Sequence, residues 1–476
     1  MKTYTFLKCS FQLLFGFLFL ASAAIPLPVH SAPMAERSNI VFIYADDWGW
    51  GDLSLRDHEY IRTPNIDRLA QEGIDFQQFT VSNPVCSPSR TAVMTGHFPA
   101  RHSIHGHFAT LEKNARRGMP DWLDNSIVLL PRLLQNAGYT TAHFGKWHLT
   151  NVDAKDAPLP ETYGYDESAV WNGPGPQASP ANSDVDDMAI DFINRNKDKP
   201  FFINVWLHES HTAHFPKEQY LKNYENLIEP HQVYAAVIEE GDHRVGRIME
   251  TLEQNGLTEN TLIIFSSDNG PERQKTDVVT KKEKFMESRA CTNEVDIGYS
   301  RYASVGSAGG LRGHKRSLYE GGVRVPFIVR WPAKTPAGKI NSTTVISAVD
   351  LLPTFCEVAG VELPEGYTPD GESLYEALTG KEVRRTKPVF WNWTGPADGD
   401  WWPRWGIRAG DWKLLIDNEG NRRELYNIPD DPAESHNVIQ DHPELAEKLQ
   451  QQILDWKQTL PEAPPENGLS GLRQQR

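Results

Sequence analysis

Four short apolar runs stand out along the first part of the chain, and each closes on polar residues of unusual chemistry. Asn39-Ile-Val-Phe-Ile-Tyr44 leads into Asp46-Asp47, and Thr140-Thr-Ala-His-Phe144 into Gly145-Lys146-Trp147-His148. Phe201-Phe-Ile-Asn-Val-Trp-Leu207 leads into His208 and His211, and Thr261-Leu-Ile-Ile-Phe265 into Ser266-Ser267-Asp268-Asn269-Gly270. Runs of this length without strict polar alternation predict strands of a parallel sheet covered on both faces. Helical patterns from Asn65 to Gly73 and from Tyr234 to Asn255 supply the crossovers such a sheet requires. Ligand sites of open α/β sheets collect at the carboxyl ends of the strands, so four such ends carrying Asp, Lys, His and Asn point to one shared site.

Beyond about residue 385 the pattern changes. Val389 to Trp393, Trp405 to Ile416 and Arg423 to Tyr426 read as antiparallel strands. Pro443 to Leu460 reads as a helix with Leu445, Leu449, Ile453 and Trp456 on one stripe. The predicted organisation is a leader over residues 1–32, a catalytic domain over 33–385 and a small C-terminal α+β subdomain over 386–476. The leader reading rests on Lys2 and Lys8, the apolar stretch Phe11–Leu20, and small residues at Ala21–Ala24 and Ser31-Ala32, the order of a secretory signal peptide. It predicts a secreted or periplasmic protein with no membrane span.

With 48 Lys+Arg against 63 Asp+Glu, the net charge is −15, and no long basic block offers the phosphate contacts that nucleic acid needs. An anionic substrate would be repelled by the whole protein and captured only by local cations. Of the four cysteines, Cys9 leaves with the leader, which leaves Cys86, Cys291 and Cys356. An odd number in an exported chain means a free or modified thiol. Cys291 and Cys356 could pair, and Cys86 then needs its own explanation.

Residues 86–96 read Cys-Ser-Pro-Ser-Arg-Thr-Ala-Val-Met-Thr-Gly. Ser87 as N-cap and Pro88 at the first helical position predict a helix start, with Cys86 at its positive end and Arg90 in its first turn. By chemistry alone Cys86 is an activated thiolate, part of an anion clamp, or an inert buried thiol.

Cys86-Ser-Pro-Ser-Arg90 followed by Thr95-Gly96 resembles the Cys-x-Pro-x-Arg signature of type I, formylglycine-dependent sulfatases. Gly138-Tyr-Thr-Thr141 with Gly145-Lys-Trp-His148, the Asp46-Asp47 pair, Ser267-Asp-Asn-Gly270, and Gly313-His-Lys315 continuing to Pro326 fall in the same family order. The resemblance spans about Asn39 to Pro332 and implies an alkaline-phosphatase-like α/β fold. It implies that a maturation enzyme converts Cys86 to Cα-formylglycine, whose hydrate attacks sulfur through a covalent sulfo-enzyme intermediate. It assigns Asp46, Asp47, Asp268, Asn269 and the modified residue 86 to a Ca²⁺ or Mg²⁺ ion, an all-oxygen set. Arg90 and Lys146 would hold the nucleophile and the sulfate oxygens, and His148, read as sharing one side of an extended segment with Lys146, would accept a proton. His211 and Lys315 would contact the sulfate and protonate the leaving oxygen, with His211 preferred to His208 by register. The segment Phe201–Pro216 resembles the carbohydrate-directed members, so the implied partner is a sulfated glycan.

Other readings compete. The Gly-rich stretch ending at Lys315 lacks the Gly-Lys-Ser/Thr of a phosphate loop. His97, His102, His105 and His107 lack zinc spacing and read as a loop beside the pocket. Trp391, Trp393, Trp401, Trp402 and Trp405 are either core or a sugar-stacking surface. Asn341 and Asn392 are glycosylation acceptors only in a eukaryotic host. The rival functions are a phosphonate or phosphate monoester hydrolase of the same superfamily and a non-catalytic glycan-binding relative.

Overall fold

A computed structural model of the chain describes residues 1, 37–175, 184–212, 214–272, 304–395 and 402–475. Pro33–Arg476 forms one compact unit, distinct from Met1–Ala32. The signal-peptide reading and Cys291 fall outside the described residues, while Cys356 is a buried free thiol. Among the described residues no helix is long and apolar enough to cross a membrane.

The strands are β1 Asn39–Ala45, β2 Ile74–Phe76, β3 Phe79–Thr80, β4 Thr140–Lys146, β5 Glu167–Trp171, β6 Phe201–Trp206, β7 Thr261–Ser267, β8 Phe327–Arg330, β9 Lys339–Asn341 and β10 Ile346–Ser347, followed by β11 Val389–Asn392, β12 Trp405–Ala409, β13 Trp412–Ile416 and β14 Arg423–Asn427. The large sheet runs β5-β4-β6-β1-β7-β8-β2-β9. From β5 to β7 it is parallel, and β8 is antiparallel to both β7 and β2. The four apolar runs of the sequence are its centre. Successive side chains of a strand face opposite sides, and here they divide between two cores. Ile40, Phe42 and Tyr44 of β1 join one, and Val41, Ile43 and Ala45 join the other. The first core is closed by the helices Cys86–Thr95, Leu130–Asn136 and Leu351–Ala359, and the second by Pro64–Gln71, Val185–Asn196 and Glu229–Gln254.

The long crossover helix begins earlier than its apolar stripe, because Pro230 is tolerated in a first turn whose N–H groups have no helical partner. Strand β4 runs two residues past its apolar stretch. Gly145, at φ +106, pairs with Trp206, and a Cβ there would meet the Trp206 carbonyl oxygen at 2.1 Å. Only glycine lets the strand carry Lys146 to its end.

The C-terminal sheet is antiparallel, β11-β12-β13-β14, with the Pro443–Gln458 helix packed on it. Trp405–Ile416 is a hairpin of two strands turning at Gly410. The tryptophan question resolves toward core: Trp391, Trp393 and Trp405 are buried, and half-buried Trp402 donates to the Tyr319 hydroxyl. Trp401 lies outside the described residues.

Gly145→Ala is expected to lower stability by about 2 kcal/mol or more, from the left-handed backbone plus the clash with Trp206. A thermal melt unchanged from the parent would contradict this account of the end of β4.

Candidate active site

The site lies at the carboxyl ends of β1, β4, β6 and β7. Asp46 and Asp47 follow β1, with Asp47 in the left-handed region at φ 65, and Asp268 and Asn269 follow β7. One oxygen of each of Asp46, Asp47 and Asp268, with the Cys86 sulfur, lies within 4.8 Å of the others, and all four residues are buried. Each carboxylate has its own cation. Lys146 Nζ donates to Asp46 Oδ2 at 2.5 Å, Lys315 Nζ to Asp47 Oδ2 at 2.6 Å, and Arg90 Nη2 to Asp268 Oδ2 at 2.7 Å. The Arg90 guanidinium also lies 4.7 Å from the centre of the Trp206 ring.

Cys86 opens the helix Cys86–Thr95, and Gly96 closes it in a left-handed turn. The N-cap is Val85, not Ser87. The whole helix is buried, and the Ser87 hydroxyl instead accepts the Phe108 N–H, which pins the neighbouring loop. Lys146 Nζ lies 3.3 Å from the Cys86 sulfur, and the thiol points at Asp46 Oδ1, 3.6 Å away. Burial, with Asp268 nearby, pushes the thiol up to about 12, which leaves an unmodified Cys86 a poor thiolate nucleophile.

Burial drives the carboxyls up as well, Asp47 to about 7 and Asp268 above its ordinary value. Asp46 goes the other way. Burial opposes its ionisation, but Lys146, then His211 and His208, hold it well below the usual range. Asn269 donates its amide to Asp47 Oδ1 at 2.7 Å, while its Oδ1 is buried with no partner. An orphan carbonyl oxygen beside clustered carboxylates is a donor set that fits a hard divalent cation such as Ca²⁺ or Mg²⁺.

His148 is not placed by strand alternation. β4 ends at Lys146, and His148 takes φ 48. Its Nε2 faces the Phe108 carbonyl at 3.2 Å and must donate there, so Nδ1 carries the lone pair, and that nitrogen is buried without a partner. Burial and Lys146 keep the ring neutral. The two candidate histidines after β6 separate clearly. His208 faces inward, its Nδ1 2.7 Å from Asp46 Oδ2 and its ring 3.8 Å from that of Trp171. His211 lines the cavity and donates Nδ1–H to the Thr212 carbonyl at 2.6 Å.

That cavity, about 400 Å³, reaches Cys86 and is also lined by His107, His148, His211, Lys315 and Arg316. Of the run His97, His102, His105 and His107, only His107 lines it. His105 faces the Arg117 carbonyl, and His97 stacks on His102. The segment between β4 and β5 contributes Asn151 and Asp153, and Asn172 follows β5. Sequence reasoning missed His208 as the partner of Asp46, and it missed Glu272, whose carboxylate lies 3.8 Å from Lys315. The available signal was position, since His208 sits at the end of the β6 run as Asp46 does after β1.

Comparison with known proteins agrees with this geometry. The family model for Sulfatase matches residues 38–361, and that for the C-terminal region of N-sulphoglucosamine sulphohydrolase matches 312–459. The N-acetylgalactosamine-6-sulfatase of Sus scrofa is 30% identical over 418 residues, covering 79% of this chain and 72% of its own. The N-acetylgalactosamine-6-O-sulfatase of Bacteroides thetaiotaomicron is 25% identical, covering 87% and 92% respectively. The crystal structure of Ps i-CgsB in complex with k-i-k-neocarrahexaose superposes with a TM-score of 0.74 at 26% identity, covering 92% of this chain and 97% of that one. Together with the paired carboxylates and cations around Cys86, these matches place the chain in the sulfatase family, as a sulfuric ester hydrolase with the alkaline-phosphatase-like fold.

Proposed function

We propose that the protein is an exported carbohydrate sulfatase that removes sulfate from a sulfated glycan. One observation carries the reading: a cavity of sugar size ends at Cys86, over carboxylates that are each neutralised by a separate cation. Three negative charges meet three positive ones, so a bound divalent cation leaves the site net positive inside a protein of charge −15. The relatives named for N-acetylgalactosamine sulfate and the neighbour solved with a carrageenan-type oligosaccharide support a glycan.

Cys86, oxidised to Cα-formylglycine by a maturation enzyme, would supply as its hydrate the attacking oxygen and a second hydroxyl for expelling sulfate. Asp46, Asp47, Asp268 and Asn269 would hold Ca²⁺ or Mg²⁺, which supplies charge to polarise a sulfate oxygen. The chain's own groups do the rest. Lys146 and Arg90 hold the position-86 side chain and the sulfate oxygens from two sides. His148 takes a proton at Nδ1, its orientation fixed by the Phe108 carbonyl. Lys315, which Asp47 keeps charged despite burial, holds the proton side of the leaving alcohol oxygen, with His211 beside it.

The direct test is a panel of sulfated mono- and oligosaccharides paired with their phosphate-ester counterparts, reading free sulfate and phosphate. Sulfate release should dominate. Faster phosphate release would establish the phosphonate or phosphate hydrolase reading, and silence on every substrate would favour a glycan-binding relative. Arg90→Ala and Lys146→Ala should each lower kcat by on the order of 10²–10³-fold, as loss of a preorganised charge contact does. Near-normal turnover in either would remove it from the site.

Chelation should abolish turnover, and Ca²⁺ or Mg²⁺ should restore it, whereas rescue by Zn²⁺ alone would overturn the oxygen-ligand assignment. The metal-free protein carries Asp47 raised to about 7, so below that pH a proton occupies a carboxylate that the ion requires. Calorimetric Ca²⁺ affinity should therefore weaken by about tenfold per pH unit below 7. A flat profile between pH 8 and 6 would contradict the shared role of Asp47.

A further inference from the structure

Arg316 is not among the groups that the mechanism uses, yet its placement is unusual. It follows Lys315 directly and adopts φ 72, a conformation that costs a side-chain-bearing residue about 1 kcal/mol or more. Such a conformation persists only where its surroundings enforce it. Here the Arg316 N–H is fixed on the Pro84 carbonyl at 2.9 Å, two residues before Cys86. The left-handed turn sends the side chain to the wall of the cavity that reaches Cys86, where 42% of it is exposed. Its charge is held by Glu272, and both bonds, at 2.6 and 2.7 Å, leave from Nη1. Among the described residues Nε and Nη2 donate to nothing, and these two N–H groups form the side-on fork that binds a carboxylate or sulfate in a bidentate manner. Lys113 lines the same cavity, while Asn151, Asp153 and Asn172 offer it amides and acceptors suited to hydroxyls.

Resting on the sulfatase reading above, we propose that Arg316 determines specificity by binding a second anionic group, a sulfate or carboxylate carried by the sugar beside the ester that is cleaved. Glu272 holds the Nη1 corner and leaves the Nε–Nη2 edge for that group. The substrate class is then a polyanionic glycan, not a singly sulfated neutral one. Glycine would adopt this backbone at lower cost, and the ion pair with Glu272 uses only the Nη1 corner, so the Nε–Nη2 edge is the part of the side chain that the fold leaves free for a ligand.

The test measures free sulfate from galactose-, glucosamine- and galactosamine-type monosaccharide sulfates, each paired with the same sugar bearing a second sulfate or a linked uronate. The parent protein should prefer the doubly charged member of a pair by tenfold or more in kcat/KM. Arg316→Gln should reduce that ratio to near one, chiefly through KM, and Arg316→Lys should recover only part of it, because a point charge lacks the fork. Arg316→Gly, which relaxes the backbone, should melt no lower than the parent and still lose the preference. Equal rates on both members in the parent, or an unchanged ratio in Arg316→Gln, would overturn the proposal. No sulfate released from any member by the parent would instead refute the sulfatase reading on which it rests.

Discussion

The structure is organised around the cost of holding three carboxylates within a few ångströms of one another out of water. Each buried ion loses several kcal/mol of hydration, and the like charges repel besides. The chain meets this with one cation per carboxylate, each delivered from a different element. Arg90 comes from the helix that Cys86 opens, Lys146 from the end of β4, and Lys315 from the segment after Gly313. No two of these elements are neighbours in sequence, so only the assembled fold satisfies the acids. The same arrangement offers an oxygen-donor set that fits a hard divalent ion. Asn269 Oδ1 has no partner, and of the three cations that face carboxylates Lys315 also lines the cavity that reaches residue 86, while Arg90 and Lys146 are buried behind it.

His208 adds to that balance from beneath. Its Nδ1 meets the same Asp46 Oδ2 that Lys146 holds, and its ring packs against Trp171. His211, three residues on, stacks on His208 at 4.9 Å while lining the cavity. The two histidines that the sequence leaves hard to separate are thus an inner and an outer member of one stack, and burial is what distinguishes them.

Much of this was legible from residue order. The central strands are written as unbroken apolar runs because both faces of the sheet are covered, and their polar endings mark the site. The short strands β2, β5, β8 and β9 were not legible, since three to five residues carry too little pattern to separate from loops. Ser87 misled because the helix starts one residue earlier, at Cys86 after Val85, which puts Ser87 inside the first turn, where its hydroxyl accepts the Phe108 N–H instead of capping. The apolar run stops at Phe144 because Gly145 interrupts it, although the missing Cβ of Gly145 is what allows the strand to continue beside Trp206 to Lys146. Arg316 could not be singled out at all. Its meaning lies in a backbone angle and in which edge of its guanidinium is left unused, and neither is encoded locally.

The change of pattern near residue 385 marks a new sheet but not a new core, and its contacts say why it is there. Lys413 of β13 is fully buried between Glu320 at 2.8 Å and Glu434 at 3.1 Å. Glu434, itself held at φ 52, accepts the Glu320 backbone N–H. Arg312 donates to the Tyr426 hydroxyl at 2.8 Å and to the Glu434 carbonyl at 3.1 Å. These bonds grip the chain on both sides of Lys315. Between them Gly321 N–H reaches back to the Arg312 carbonyl, and the Gly322 carbonyl accepts the Gly270 N–H, next to Asn269. Removing one partner of such a buried pair leaves an uncompensated charge and costs about 3–5 kcal/mol, so these contacts tie the segment to the C-terminal sheet. Lys315 meets Asp47 although no regular element carries it, and bonds to the C-terminal sheet hold the chain on either side of it. The C-terminal sheet thus braces the segment that carries Lys315, the one of the three paired cations that the main sheet and its helices do not deliver themselves.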